Sequence, residues 1–289
     1  MNCINHTVRH PVLILSEIYP QLYLPVYKGA STSELYQKIV SSGYAYQSDA
    51  TCFSLSDEDE LIYIDTPYGR LTCIYLSCRD DFENFIRIMR YECEPVMIPA
   101  SIGAMFITGI NNQRKLEGHQ KEYIKERNRD AYNAFQYFIA KKKNCTDKII
   151  VLSKGGYSGV DYKRTKYPLS RWYEISKKIR IYHEYTHFIY RNLFMEKRDI
   201  IREEIICDAM GLLYAISEYD TSLAKMFLGV EHEKYTWGGR LESYIEKGSD
   251  IEAAASKAKR IIAEVSERLA DINSGELCHV DIIKYLNCS

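Results

Sequence analysis

The amino-acid sequence predicts an α+β protein, with a mixed α/β region at residues 1–112 and a mostly helical region at residues 113–289. Two observations predict this division. Up to about residue 110, short apolar runs alternate with turn residues and with two helical segments. Beyond that point, apolar residues recur every three or four positions over long segments, as in amphipathic helices. A chain of 289 residues is long enough to form two regions with hydrophobic cores.

The first region contains several predicted strands and two predicted helices. The apolar or alternating runs are PVLIL, LIYIDT, RLTCIYLSC and PVMIPASIGAMFITGI. Between them, STSELYQKIVSS and RDDFENFIRIMRYE have the apolar spacing of helices. No motif in this region indicates its role.

The second region begins with a long, highly charged amphipathic helix, predicted from Leu116 to Lys143. The strand KIIVLS (148–153) and the glycine-rich turn KGGYSG (154–159) follow. The turn lacks the GxxxxGK[ST] pattern of a phosphate-binding loop. Two further helices are predicted at 170–194 and 198–216, the second capped by Asp199.

Composition excludes several classes of protein. With 38 basic and 39 acidic residues the net charge is −1, so no electrostatic attraction to nucleic acid or to an anionic membrane is expected. The nine cysteines are scattered and form no CxxC pair, which indicates reduced thiols and a cytoplasmic location. No apolar segment reaches the length of a membrane span or of a signal-peptide core.

The helix at 170–194 carries the motif H-E-x-x-H at His183, Glu184 and His187. Four residues advance a helix by about 400° and about 6 Å, so the two imidazoles project one above the other. Both imidazoles then reach one zinc ion, while Glu184 is offset by about 100° and is placed to take a proton from water. Because this motif occurs by chance on the order of once per hundred chains of this length, a third ligand is required.

Glu204, in the following helix, is the predicted third ligand. Glu204 and Asp208 share a face that continues through Gly211 and Ala215, whose small size permits close approach of another helix. Asp208 is predicted to accept a hydrogen bond from a ligand histidine, which fixes the tautomer of the ring. The competing face of the same helix is bulkier and carries Glu203, Cys207, Met210 and Tyr214.

This arrangement, H-E-x-x-H followed by Glu204-x-x-x-Asp208, resembles the gluzincin type of zinc metallopeptidase, which includes the thermolysin-like enzymes. The resemblance covers about residues 116–216 and implies a zincin-like catalytic domain that binds one zinc ion per chain. It implies that His183, His187 and Glu204 are ligands, that Glu184 is the general base and that Asp208 supports a ligand histidine. The subfamily stays open: EEIICDAMGLLYA is also similar to regulatory metallopeptidases that cleave repressors.

The expected activity is hydrolysis of peptide bonds in a peptide or protein substrate by metal-activated water. His232 is the first candidate for a catalytic donor to the oxyanion of the transition state, and Tyr235, Arg240 and His279 are further candidates. The stretch WGGR predicts a flexible loop over a cleft. The substrate backbone is expected along an edge strand, either Ile149–Ser153, which we prefer, or Ala104–Thr108.

The alternative is a regulatory or binding protein on the same scaffold, with a structural zinc ion. A fourth protein ligand, from Cys207 or His232, would favour it, whereas the presence of Glu184 argues against it. A hydrolase that acts on amides other than peptides is a third possibility.

Overall fold

Helices and a four-stranded mixed sheet make up the protein, as seen in a computed structural model that describes residues 9–42, 46, 48, 51–112, 114–115, 145–194, 199–271 and 278–287. The α+β class predicted from the sequence is confirmed. The chain divides into two units, Met1–Ser153 and Lys154–Ser289. Within the described ranges, no helix combines the length and the apolar composition that crossing a membrane requires.

Within its described residues, the first unit contains three α-helices and the four strands of the sheet. The helices are α1 (Pro11–Ser16), α2 (Glu34–Ser42) and α3 (Arg79–Arg90). The strands are β1 (Glu60–Thr66), β2 (Gly69–Leu76), β3 (Ala104–Asn111) and β4 (Thr146–Ser153). The apolar run PVLIL therefore forms a short helix rather than a strand, with Pro11 at its first position, where the missing N–H costs nothing.

The sheet has the strand order β1-β2-β4-β3. A hairpin joins β1 to β2, β2 is parallel to β4, and β3 is antiparallel to β4. The apolar face of α3 supplies Phe82, Phe85 and Ile86 to the core of this unit, and all three are fully buried.

Strand β4 is an inner strand, and this position departs from two expectations. The predicted boundary at residues 112/113 assigned β4 to the second region, whereas its ladders with β2 and β3 make it part of the first unit. Because both of its edges are paired, Ile149–Ser153 is not an edge strand, and the preference for it as the substrate-binding strand was wrong. Strand β3 lies at an edge of the sheet.

The second unit is helical. Its α-helices are α4 (Leu169–Leu193), α5 (Ile200–Ile216), α6 (Thr221–Leu228), α7 (Ile251–Ala270) and α8 (His279–Asn287). The side chain of Asp199 accepts a hydrogen bond from the Arg202 backbone N–H, so the predicted cap of α5 is confirmed. The predicted helix from Leu116 to Lys143 lies outside the described residues.

Helices α4 and α5 pack directly against each other. The predicted apolar positions Trp172, Ile175 and Ile179 on α4 are fully buried. Opposite them, Gly211 of α5 has no room for a side chain, because a Cβ atom there would lie 2.9 Å from the Ile179 Cγ2 and 3.0 Å from the Ile179 carbonyl oxygen. The glycine therefore sets the separation of the two helices.

Replacing Gly211 with valine should separate α4 from α5. The added atoms overlap the Ile179 backbone, so the free energy of unfolding should fall by about 1–3 kcal/mol. Urea denaturation followed by circular dichroism measures this change. The control is Ala263→Val on the exposed face of α7, where the expected change is within about 0.5 kcal/mol. Equal effects of the two substitutions would contradict the close-packing role of Gly211.

Candidate metal site

The structure brings His183, His187 and Glu204 together in the second unit. Their possible ligand atoms all lie within 4.8 Å of one another. The two imidazole Nε2 atoms are 3.1 Å apart, and each lies close to a different Glu204 carboxylate oxygen, at 3.4 Å from His183 and 3.3 Å from His187. Both histidines are buried, and the Glu204 side chain is only 13% exposed.

The spacing of these three groups suits a small tetrahedral cation. Zinc binds imidazole nitrogen and carboxylate oxygen at about 2.0–2.2 Å, so two ligands of a tetrahedral ion lie about 3.3–3.5 Å apart. The observed separations of 3.1, 3.3 and 3.4 Å agree with that geometry. Two nitrogen donors and one oxygen donor favour zinc over magnesium or calcium, which prefer all-oxygen sites.

The electrostatics of the cluster favour positive charge. Burial acts to raise the pKa of Glu204, but the neighbouring imidazoles of His183 and His187 outweigh it and hold this pKa far below its ordinary value. Burial acts in the opposite direction on His183, where the Asp208 and Glu204 carboxylates outweigh it and raise the pKa. The cluster thus stabilises an ionised Glu204 carboxylate and positive charge beside it.

The outer nitrogen of each imidazole faces a carboxylate. His183 Nδ1 lies 3.0 Å from Asp208 Oδ1, and His187 Nδ1 lies 2.8 Å from Glu203 Oε1. Such contacts orient metal-binding histidines and direct the Nε2 lone pairs at the ion. Asp208 is where the sequence predicted it. From the sequence, Glu203 was assigned to the competing face of the helix, but Glu203 is buried beside His187. A signal for this was present in the sequence, because two ligand histidines require two orienting partners and only Asp208 had been identified.

Tyr157 is a further member of the site that the sequence did not indicate. It lies in the turn KGGYSG, and its hydroxyl contacts both His183 Nδ1, at 2.9 Å, and Asp208 Oδ1, at 2.6 Å. The turn is held by α4: Ser176 Oγ accepts from the Tyr157 N–H at 2.9 Å, and Arg180 donates to the Gly155 and Gly156 carbonyls at 2.8 and 2.9 Å. The face of α4 that carries the histidines therefore also fixes this turn.

Arg240, a predicted oxyanion donor, is bound to the outer residues of the site. Its Nη2 donates to Asp208 Oδ2, and its Nη1 donates to the Tyr157 hydroxyl oxygen at 2.8 Å. Burial acts to raise the pKa of Asp208, but the Arg240 guanidinium, followed by His183, outweighs it and lowers this pKa.

The stretch WGGR, before Arg240, is not a flexible loop throughout. A Cβ atom at Gly239 would lie 2.4 Å from the Leu228 carbonyl oxygen and 2.6 Å from the Gly229 Cα, so this glycine is packed against the end of α6. Trp237 in the same segment is 75% exposed.

Glu184, the predicted base, lies one position after His183 on α4. Its side chain is partly buried, and it forms no hydrogen bond or ion pair with any residue that the structure describes. Tyr244, which the sequence did not indicate, lies close enough to Glu204 for the charge of this carboxylate to act on the Tyr244 hydroxyl. Burial raises the pKa of Tyr244 above its ordinary value, and the charge of Arg240, which acts to lower this pKa, does not offset the effect.

Two predicted donors do not reach the cluster. The His232 side chain is 73% exposed, with Nε2 at 4.0 Å from Glu231 Oε1, because it follows α6 in a turn that directs it to solvent. The Tyr235 hydroxyl shares its single proton between the Gly239 carbonyl at 2.8 Å and Glu242 Oε1 at 3.0 Å, so it stabilises its own loop. In the described residues, neither side chain contacts a proposed ligand.

His279, the remaining predicted donor, packs at the start of α8. Its ring lies against the rings of Tyr185 and Tyr214, with centroids 4.4 and 5.1 Å away. The Thr186 hydroxyl donates to the Tyr182 carbonyl at 2.6 Å, so the Thr186 oxygen accepts from His279 Nε2 at 3.0 Å. His279 therefore anchors α8 to α4, which also explains the polar Thr186 in the apolar stripe.

The sequence profile of a family described as "Family of unknown function (DUF7005)" matches residues 3–281. Neither the curated proteins nor the solved structures contain a significant match to the chain.

Burial lowers the pKa of His279 to about 4, which makes the stability of the protein depend on pH. In the unfolded chain the pKa is about 6.5, so between pH 6.5 and 4 only the unfolded state binds this proton. Stability should therefore fall as the pH falls, with a contribution from His279 of about 2 kcal/mol at pH 5. Urea denaturation in the presence of chelator gives the free energy of unfolding at pH 7 and at pH 5. Between these pH values, this free energy should fall by about 2 kcal/mol less in His279→Gln than in the wild type. Parallel losses in both proteins would contradict the assignment.

Proposed function

Because the chain belongs to DUF7005, a family of unknown function, its activity has to be inferred from its site, and we propose that it is a zinc-dependent metallopeptidase. The observation that carries this proposal is the set of three separations between His183, His187 and Glu204, which match the edges of a tetrahedral zinc site. Two histidines and one glutamate are also the ligands of several hydrolytic zinc enzymes.

The chain's own residues suit hydrolysis. When bound, the metal ion acidifies water and polarises a carbonyl group. Glu184 accepts the proton of the attacking water and returns it to the leaving amine, a role that requires a carboxylate with no competing partner. Tyr244 and Arg240 both interact electrostatically with Glu204, which makes them candidates for stabilising the negative charge that develops on the substrate.

The substrate class that we propose is a peptide or protein, and the proposed location is the cytoplasm. None of the seven cysteines within the described residues forms a disulfide, which supports a reducing compartment.

The regulatory alternative, with a structural zinc ion, requires a fourth protein ligand. Among the described residues the group of mutually close ligand atoms has three members. His232 is exposed to solvent, and Cys207 lies beside His187 but outside this group. The structure therefore offers less support to the alternative than to the hydrolase.

Substitution of Glu184 by glutamine separates metal binding from turnover. The purified full-length chain should contain one zinc ion by elemental analysis, and Glu184→Gln should keep it, because Glu184 is not a proposed ligand. Cleavage of a diverse peptide library, read by mass spectrometry with and without chelator, should fall by at least about 100-fold in this variant, because general-base catalysis contributes about 10²–10⁴.

The matched control is Glu174→Gln, an exposed glutamate on the same helix that pairs with Arg171, and it should cleave like the wild type. Absence of a transition metal from untreated protein would overturn the proposal. Undiminished cleavage by Glu184→Gln would refute the assigned base alone. Stoichiometric zinc without cleavage of any library peptide would favour the regulatory alternative.

A further inference from the structure

The Tyr157 hydroxyl has all of its hydrogen-bonding capacity in use. A hydroxyl donates one hydrogen bond and accepts two. Its single proton goes to Asp208 Oδ1, the charged acceptor at 2.6 Å. One lone pair accepts from Arg240 Nη1 at 2.8 Å, because a guanidinium only donates. The other lone pair faces His183 Nδ1 at 2.9 Å.

These contacts determine which nitrogen of His183 carries a proton. Nδ1 faces two acceptors, the Tyr157 hydroxyl oxygen at 2.9 Å and Asp208 Oδ1 at 3.0 Å. Neither has a proton to give to Nδ1, so Nδ1 must be the donor. The neutral imidazole then has its lone pair on Nε2, the atom that lies 3.4 Å from Glu204 and 3.1 Å from His187 Nε2.

We propose that Tyr157 is a positioning residue for the metal ligand His183, and that through Arg240 it couples the metal site to the segment Val230–Tyr244. The proposal rests on the metal site of the proposed function but not on its catalytic activity. Tyr157 acts only through the imidazole and its carboxylate partner.

The coupling to Val230–Tyr244 follows from the way this segment is held. Gly239 packs on Gly229 at the end of α6, and the next residue, Arg240, binds both Tyr157 and Asp208. Orientation of His183 and seating of this segment therefore depend on the same hydroxyl and the same carboxylate. Coupling between two sites is reciprocal, so a metal ion that fixes His183 should also stabilise the seated segment.

The test is Tyr157→Phe, which removes the hydroxyl and keeps the ring that packs edge-on against Phe227 at 4.7 Å. Competition with a chromophoric chelator gives the zinc Kd. The Kd should rise by about 10–100-fold, the usual effect of losing an orienting partner of a ligand histidine. In the cobalt-substituted protein the d–d absorption bands should also shift, since one ligand is no longer fixed.

The control is Tyr19→Phe, which also removes a buried tyrosine hydroxyl that donates to a carboxylate, that of Asp147, in the first unit. Its zinc Kd should equal that of the wild type. If the wild type and Tyr157→Phe bind zinc with the same Kd, the positioning role is wrong and the proposed function is unaffected. A wild-type protein without zinc affinity would overturn both.

Hydrogen exchange tests the coupling to Val230–Tyr244. Zinc should slow amide exchange in this segment of the wild type, and the slowing should be lost in Tyr157→Phe. Arg240→Lys keeps the charge but not the two-pronged contact, so it should weaken the effect of zinc on exchange. Equal protection by zinc in all three proteins would refute the coupling. Circular dichroism establishes whether each variant is folded. If Tyr157→Phe does not fold, the comparison of Arg240→Lys with the wild type still tests the coupling.

Discussion

Hydrogen-bond acceptors that face one another in a buried space require a positive charge between them, and this constraint organises the second unit. The Nε2 atoms of His183 and His187 and the carboxylate of Glu204 are such acceptors, because the Nδ1 atoms are already committed to Asp208 and Glu203. Without a metal ion or a proton between them, burial of these lone pairs at 3.1–3.4 Å would be costly. The absence of a side chain at Gly211 lets α4 and α5 approach closely, which allows Glu204 to reach the two histidines.

Helical periodicity is the reason that so much of this site could be predicted. Spacing within one helix is set by backbone geometry alone, so His183, Glu184 and His187 follow from their order in the sequence. The same holds for Glu204 and Asp208, and the small Gly211 on their face indicated which side of α5 meets α4. In the first unit, alternation of apolar residues predicted β1, and a short apolar run predicted β2, which is buried along most of its length.

Relations between elements could not be predicted in this way. Tyr157 reaches His183 across a separation of 26 residues, through a turn whose direction depends on bonds to α4. Glu203 is offset by about 100° from Glu204, and only the crossing of the helices decides that both face the histidines. The inner position of β4 likewise depends on pairing with strands distant in sequence. His232 had the right chemistry, but no local pattern reveals whether a turn directs a side chain to solvent.

The distribution of carboxylates around the cluster favours the proposed hydrolysis over a structural role. Asp208 is neutralised by Arg240, while Glu203 and Glu204 are directed at the histidines. Glu184 has no such partner among the described residues, although it lies on the same turn of α4. An uncommitted carboxylate beside a three-donor cluster is unnecessary for a structural zinc ion, which is closed by four protein ligands. It is what proton transfer requires, because a base held in an ion pair is a poor proton acceptor. The lack of a partner for Glu184 among the described residues therefore supports the proposed role as strongly as the paired carboxylates around it do.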